Sequence, residues 1–170
     1  QYIDSETETI DSMNNLIDWL PKNLPSEKRT GIVHGDYSLT NVMIGKNDPN
    51  VIAILDWELS TLGDPCADFN YHCLQYTMNP KLADKAYCKN QGIPVIDDYV
   101  KMYSEKINVD LTEEWDLYSA YNLFKLAGIL QGILGRVRDG TAAHENAAER
   151  ASGVRNLSDT AWDLVEKNFL

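Results

Sequence analysis

Two short runs of β-type residues, joined by a turn segment, constrain the fold of this chain more than any other stretch. The runs are Val42–Ile44 and 51–55, and the joining segment 45–50 consists almost entirely of Gly, Asn, Asp and Pro. Residues of these kinds in this order predict an antiparallel β-hairpin. Asn41 immediately precedes the first run, and Asp56 immediately follows the second.

The hairpin predicts which side chains lie close together. Residues that flank the two strands of an antiparallel pair face each other, so the Cβ atoms of Asn41 and Asp56 are expected within roughly 5 to 8 Å. An amide oxygen and a carboxylate at that separation can share one magnesium ion at about 2.1 Å. Asp36 lies one tight loop before Asn41. A carboxylate in such a position can accept the proton of an attacking hydroxyl beside a metal-bound phosphate.

The composition limits the size and the partners of the protein. With 170 residues, 44% of them hydrophobic, the chain is long enough for one sizeable core, and we expect a single domain. A net charge of −11 without clustered Lys and Arg argues against nucleic acid or an anionic membrane as a partner. No apolar run approaches the roughly 20 residues of a membrane span, so a soluble protein is expected.

The cysteines indicate a reducing compartment. There are 3 of them, an odd number, and no two form a Cys-x-x-Cys pair. This pattern fits buried free thiols better than a disulfide framework or a zinc site. It predicts a cytoplasmic protein.

Hydrophobic periodicity predicts helices over most of the remaining chain. Apolar residues at three- and four-residue steps indicate helices at 4–24, 65–76, 81–90, 96–107, 112–138 and 142–169. The segment 112–138 is apolar almost all round and is expected to be buried, and Gly153 predicts a break in the last region. A short strand is predicted at Gly31–Val33, with a polar loop at 26–30 before it and irregular structure at 58–63. The predicted fold class is α+β, mostly α.

The sequence around the predicted hairpin resembles the paired motifs of the aminoglycoside and choline kinase-like phosphotransferases. Residues 34–41 read HGDYSLTN and residues 54–58 read ILDWE, similar to the family's HxDxxxxN and I-D-W motifs. These motifs in turn resemble the catalytic loop and the DFG segment of protein kinases. The continuation at 59–73, LSTLGDPCADFNYHC, is closer still to the phosphotransferase-like domains that are fused to, or encoded beside, acyl-CoA dehydrogenases.

The resemblance implies a role for the polar residues of this stretch. Asp36 would be the catalytic base or the carboxylate that orients the acceptor, and Asn41 and Asp56 would bind magnesium and, through it, ATP. His34 would be structural and pack behind the loop. Three further residues would support the site, namely Asp64 as a helix cap, Asp68 as a brace on the loop, and Glu58 as either a site-lining or a solvated side chain.

The same resemblance implies a protein-kinase-like C-terminal lobe with a small catalytic-loop hairpin, and ATP and Mg²⁺ as cofactors. A kinase fold also needs an N-terminal lobe with a Gly-rich strand pair and a strand lysine. Before His34 the sequence offers only a helix, a loop and a short strand, so the nucleotide lobe is expected to be largely absent from this chain. The implied partners are that lobe or an acyl-CoA dehydrogenase domain, and a small-molecule hydroxyl substrate, with an acyl derivative as one candidate. A fusion of that kind would also allow an organelle as the location.

Two other functions fit part of the sequence. A non-catalytic binding or scaffolding domain would keep the fold of the lobe without its nucleotide half. A glycosidase-type carboxylate pair is suggested by Asp56 and Glu58, whose D-x-E spacing would place both side chains on one face of a strand. That interpretation leaves His34, Asp36 and Asn41 unexplained, whereas the phosphotransferase interpretation accounts for all of them.

Overall fold

Helices dominate the computed structural model, which describes residues 2–24 and 29–170. Within these residues, four short strands form two separate two-stranded antiparallel sheets. The predicted class, α+β with mostly helix, is therefore confirmed. No helix in the described part of the chain is long and apolar enough to cross a membrane.

The helices and strands are numbered in chain order. The helices are α1 Tyr2–Ser5, α2 Asp11–Trp19, α3 Pro65–Cys73, α4 Gln75–Met78, α5 Pro80–Ala83, α6 Lys85–Asn90, α7 Ile96–Ile107, α8 Trp115–Arg138, α9 Ala147–Arg150 and α10 Val154–Phe169. The strands are β1 Gly31–Val33, β2 Val42–Ile44, β3 Val51–Ile54 and β4 Thr61–Gly63. Single 3-10 turns lie at Leu20–Lys22, Leu39–Asn41 and Trp57–Leu59.

Several predicted elements are confirmed. β1 and α7 have the predicted limits, and β2 and β3 form the predicted hairpin. The predicted break in the last helical region is also present, since α9 and α10 are separate and Gly153 is the N-cap of α10. The predicted loop at 26–30 lies largely outside the described residues.

The first predicted helix is wrong as a single element, because α1 ends at Ser5 and α2 begins only at Asp11. At the end of α1 and just after it, the chain accepts hydrogen bonds from a side chain that is distant in sequence. The amide nitrogen of Gln131 donates hydrogen bonds to the Ser5 carbonyl at 2.6 Å and to the Thr7 hydroxyl at 3.1 Å. These contacts take the place of the hydrogen bonds that would continue the helix, which apolar periodicity alone does not reveal.

The segment predicted as irregular contains a strand. β4 pairs with β1 in antiparallel register, with Ile32 opposite Leu62. Each strand has only three residues and the two are separated by the whole hairpin, so their pairing depends on contacts distant in sequence. Local pattern therefore gave no signal for β4.

The chain divides into two compact units, and the first consists of Gln1–Pro25 and Ser119–Leu170. In its described residues α2 packs on α10, and both helices bury apolar side chains, among them Leu16 and Val165. The expectation that α8 is buried all round is wrong, because Tyr121 and Ile129 are more than a third exposed. They are eight positions apart, so both lie on the same face of the helix.

The second unit, Ser26–Tyr118, contains both sheets and every predicted site residue. Its core is aromatic and is centred on Phe69 of α3. The Phe69 ring stacks on Tyr103 of α7 with centroids 3.8 Å apart, and it meets the edge of Tyr99 at 5.1 Å. Because α3 also packs on β1, this helix connects the aromatic core to the turn that follows β1.

Candidate active site

Asp68 holds the turn that follows β1. Its two carboxylate oxygens accept hydrogen bonds from consecutive backbone N–H groups, those of His34 at 2.5 Å and Gly35 at 3.0 Å. Gly35 has a φ of +84°, and a Cβ at this position would lie 2.5 Å from the carbonyl oxygen of Leu59. The turn therefore requires glycine, both for its left-handed backbone and for the close approach of Leu59.

The His34 ring connects this turn to the end of the hairpin. Nδ1 accepts a hydrogen bond from the backbone N–H of Asp36 at 3.2 Å, and Nε2 lies 2.7 Å from the carbonyl oxygen of Leu55. A carbonyl can only accept, so Nε2 carries the proton and the ring is the neutral Nε2–H tautomer. His34 is 2% exposed, and the Trp57 ring packs on it at 4.7 Å. These contacts give His34 a structural role.

The Asp36 carboxylate lies beside two neutral side chains. The amide nitrogen of Asn41 donates to its Oδ2 at 3.0 Å and to the Asp36 carbonyl at 2.9 Å. The hydroxyl of Tyr71, on α3, lies within reach of the same carboxylate. Burial, followed by the charge and hydrogen bonding of Asp36, raises the pKa of Tyr71 to about 12. Tyr71 therefore stays protonated and remains a donor at neutral pH.

The hairpin aligns Asn41 with the residue before Asp56. Val42 pairs with Ile54, and the ladder continues by one hydrogen bond from the Leu55 N–H to the Asn41 carbonyl at 2.8 Å. Asp56 follows directly, with a left-handed backbone at φ 66° and ψ 54°, and its side chain does not cap the 3-10 turn that begins at Trp57. It is exposed. Asp56 thus lies at the mouth of the hairpin with its carboxylate accessible to solvent.

Asn41 and Asp56 offer oxygen ligands of the kind that magnesium prefers. Because the amide nitrogen of Asn41 is bound to Asp36, its Oδ1 is the atom left for a cation. Magnesium typically takes one or two protein carboxylates and completes its shell with phosphate oxygens and waters. Across residues 2–24 and 29–170 no three His, Cys, Asp or Glu side chains form a ligand cluster. One amide oxygen and one carboxylate are a donor set that suits a magnesium ion shared with a phosphate.

The remaining predicted site residues lie in different environments. Asp64 caps α3, as expected, because its Oδ1 accepts from the Cys66 N–H at 2.9 Å. Its Oδ2 accepts from the Tyr118 hydroxyl at 2.7 Å. Glu58 is exposed in the 3-10 turn Trp57–Leu59, whereas β3 ends at Ile54. Asp56 and Glu58 therefore do not share a strand face, and the geometric basis of the glycosidase interpretation is wrong.

Two residues of the site were not predicted from the sequence. Tyr71 contacts Asp36, and Tyr118 contacts Asp64. A signal for Tyr71 was present, because it follows Asp68 by three positions and residues at that spacing share one face of a helix. Tyr118 is 54 positions from Asp64, and no local pattern connects them.

An open groove of about 490 Å³ adjoins the turn. His34 and Asp68 line it on the side of the turn, and Lys106 carries the positive charge among its described lining residues. The rest of its wall is aromatic or apolar and consists of Ile32, Tyr37, Ile54, Trp57, Pro65, Phe69, Tyr99, Met102 and Tyr103. The groove therefore favours a ligand with apolar surface.

Comparison with known proteins connects this site to a family. The model of the phosphotransferase enzyme family matches residues 1–121. Acyl-CoA dehydrogenase family member 10 of Mus musculus is 37% identical over 172 residues, which are 98% of this chain and 16% of that protein. Acyl-CoA dehydrogenase family member 11 of Homo sapiens is 32% identical over 99% of this chain and 22% of its own length.

A solved structure matches over nearly the whole chain. The crystal structure of a putative aminoglycoside phosphotransferase from Ralstonia eutropha is 41% identical, has a TM-score of 0.90, and is matched over 99% of this chain and 53% of its own. The kinase-like fold predicted from the motifs is confirmed by this match. The chain spans about half of that structure, and 16% and 22% of the two dehydrogenase relatives.

Proposed function

The chain belongs to the phosphotransferase enzyme family, and on that premise we propose that it carries the catalytic half of an ATP- and Mg²⁺-dependent kinase for a small-molecule hydroxyl. In the proposed reaction the acceptor oxygen bonds to the γ-phosphorus of ATP. The bond from that phosphorus to the β,γ-bridging oxygen breaks, and ADP leaves. The acceptor proton passes to Asp36.

The observation that carries this proposal is the environment of Asp36. Its carboxylate accepts a hydrogen bond from the Asn41 amide and lies beside the Tyr71 hydroxyl, so neutral groups orient it. A carboxylate that is fixed in this way is suited to orient a hydroxyl and to receive its proton. We assign Asp36 as the catalytic base on this ground.

Asn41 and Asp56 are the proposed magnesium ligands. The hairpin ladder places Asn41 opposite Leu55, next to Asp56, and both residues present oxygen atoms at the same end of the hairpin. Magnesium supplies charge neutralisation for the phosphate oxygens when bound. His34, Asp64 and Asp68 support this arrangement through the contacts described above, and Glu58, exposed beside Asp56, is proposed to line the site.

The residues that line the groove restrict the class of acceptor that we propose. The walls of the groove are mostly aromatic and apolar, and Lys106 is its positively charged lining residue. Among the described lining residues, a polycationic aminoglycoside would meet only the carboxylate of Asp68, which is bound to backbone N–H groups. A hydroxylated acyl derivative would bury its chain against the rings. The acyl-CoA dehydrogenase names of two relatives agree with an acyl substrate for this chain.

We also propose that this chain acts as a single C-terminal lobe, with a nucleotide-binding lobe supplied by further sequence or by a partner such as an acyl-CoA dehydrogenase domain. The support is an apolar surface on both sheets. Ten large hydrophobic side chains from residues 32–62 are more than 40% exposed, namely Ile32, Leu39, Met43, Ile44, Val51, Ile52, Leu55, Trp57, Leu59 and Leu62. Exposed apolar surface of this extent is typical of an interface.

The test is ATP turnover by the complete gene product, measured as ADP release with and without Mg²⁺. Asp36→Asn is expected to lower turnover by at least about a hundredfold, since removal of a general base usually costs about 10² to 10⁴. Asp48→Asn is the matched control, because Asp48 lies in the exposed hairpin turn and bonds only to Asn50 among the described residues. Equal turnover in the Asp36 and Asp48 variants would refute the assignment.

The exposed apolar surface also supports a second candidate, a non-catalytic binding or scaffolding domain. Titration calorimetry of the complete gene product with ATP distinguishes the two. A kinase is expected to bind ATP only when Mg²⁺ is present, and Asp56→Asn is expected to weaken that binding. A scaffold would show no Mg²⁺-dependent heat.

A further inference from the structure

We propose that Tyr71 is a positioning residue for phosphoryl transfer, and that it holds the Asp36 carboxylate in one orientation. The inference rests on the proposed function, because a role for Asp36 in the reaction is its premise. It adds a residue of α3 that the HGD and I-D-W motifs do not contain.

The contacts of α3 follow the turn residue by residue. Asp68 accepts from the N–H groups of His34 and Gly35. One helical turn later on the same face, Tyr71 lies beside the next loop residue, Asp36, close enough for the carboxylate to raise its pKa. His72, adjacent to Tyr71, packs its ring 5.7 Å from Tyr37, the loop residue after Asp36. One face of α3 thus lies against four successive loop residues, 34–37. The contact of Tyr71 is part of this extended interface.

Two donors from two different elements restrict the carboxylate. The terminal torsion of aspartate is broad and has no sharp preferred value, so a single donor leaves the oxygens free to rotate. Asn41 donates from the hairpin side at 3.0 Å, and we assign the Tyr71 hydroxyl as the donor from the helix side, where it lies within reach of the carboxylate. Neither of these two side chains is charged, so they restrict the rotation of the carboxylate without forming an ion pair with it.

The kinetic test compares Tyr71→Phe with wild type in the complete gene product, with MgATP turnover measured as ADP release. Removal of one donor to a carboxylate is expected to lower kcat about tenfold. The KM for ATP is expected to stay within about twofold, because Tyr71 does not contact the proposed metal ligands. Tyr76→Phe is the matched control, since it removes a tyrosine hydroxyl bond outside the site, the one to the Pro94 carbonyl at 2.8 Å; its kcat is expected to be close to that of wild type.

A double-mutant cycle shows whether Tyr71 acts through Asp36. In an Asp36→Asn background, Tyr71→Phe is expected to have no further effect on turnover, because the two residues act as a unit. A full tenfold effect in that background would overturn the proposal, and so would wild-type kcat in Tyr71→Phe alone. If Asp36→Asn also retained wild-type turnover, the proposed function itself would fail.

NMR of the 170-residue chain tests the contact between Tyr71 and Asp36 independently of activity. With ¹³C-labelled aspartate, the carboxyl resonance of Asp36 at neutral pH is expected to shift in Tyr71→Phe and to stay unchanged in Tyr76→Phe. The reciprocal measurement leaves Tyr71 in place and therefore needs no stable Tyr71 variant, since the Tyr71 Cζ resonance is expected to shift in Asp36→Asn. Unchanged resonances in both experiments would overturn the positioning role.

Discussion

The hairpin β2–β3 and the helix α3 contribute to the same site in opposite ways. The hairpin provides Asn41 and Asp56 at its open end, yet most of its apolar side chains are exposed. α3 provides no proposed metal ligand, but it buries Phe69 and holds four loop residues through Asp68, Tyr71 and His72. The proposed metal ligands therefore lie at the end of a largely exposed hairpin, whereas the loop that carries the proposed base is held by a buried helix.

If the buried helix α3 stabilises the site more than the exposed hairpin does, removal of a core side chain from α3 is expected to have the largest effect on stability. Phe69→Ala removes a buried ring that stacks on Tyr103, and we expect the free energy of unfolding to fall by about 4 kcal/mol. Val51→Ala on the hairpin, where the side chain is 55% exposed, is expected to cost about 0.5 kcal/mol. Urea unfolding of both variants measures the difference. Similar losses in the free energy of unfolding would contradict the claim that α3, and not the hairpin, stabilises the site.

The second effect in size concerns the brace on the loop. Asp68→Ala leaves the backbone N–H groups of His34 and Gly35 without their acceptor, and both residues are buried. We expect a loss of about 3 kcal/mol in the free energy of unfolding, since each unsatisfied buried donor costs about 1 to 3 kcal/mol. Asp48→Ala, in the hairpin turn, serves as the control and is expected to change stability little. A small effect of Asp68→Ala would show that the turn is held by the hairpin instead.

The third test uses pH, because burial raises the pKa of the Cys66 and Cys73 thiols, both on α3, to about 12 from an ordinary value of 9.0. Between these values the unfolded chain loses thiol protons that the folded chain keeps, so stability falls as the pH rises above 9. From pH 8 to pH 10 we expect a loss of about 1 kcal/mol for each thiol. Urea unfolding at the two pH values measures it.

A variant isolates the contribution of the thiols. With both cysteines replaced by alanine, the chain is expected to be less stable at pH 8 but to lose less on going to pH 10. The same pH dependence in the variant and in wild type would assign the loss to tyrosines, whose ordinary pKa of 10.0 is also raised by burial at Tyr71 and Tyr99.

The smallest expected effect is on the exposed face of the hairpin. Ile52 is 63% exposed in the 170-residue chain, and Ile52→Thr keeps a β-branched side chain suited to a strand. We expect the free energy of unfolding to change by about 0.5 kcal/mol or less. In the complete gene product the same variant is expected to be more destabilising if a second lobe covers this face, so the two measurements together test that proposal.

Prediction from sequence succeeded where the determining forces are local. The β-branched runs and the turn residues between them gave the hairpin, and Asp64 followed by Pro65 gave the start of α3. It failed where contacts are distant in sequence. Pairing of β4 with β1 and interruption of the first helix by Gln131 both depend on residues far along the chain.

For the site, the motifs named the residues but not all of their partners. Asp36 and Asn41 are in contact, whereas the hairpin predicted only that Asn41 lies near Asp56. Tyr71 was not foreseen, because a tyrosine on a helix is usually part of the core and its orientation toward Asp36 depends on how α3 packs against the loop. The roles of these residues in catalysis remain proposals that the variants above can test.

The left-handed backbone of Asp56 restricts which residues evolution can place there. At a φ of 66° only glycine, asparagine and aspartate are adopted readily, because a larger or branched side chain would be strained. Two of these three carry an oxygen that can bind a cation. Most other side chains at this position would cost about 1 to 2 kcal/mol of stability, so the backbone itself favours an oxygen-bearing residue where we propose a magnesium ligand.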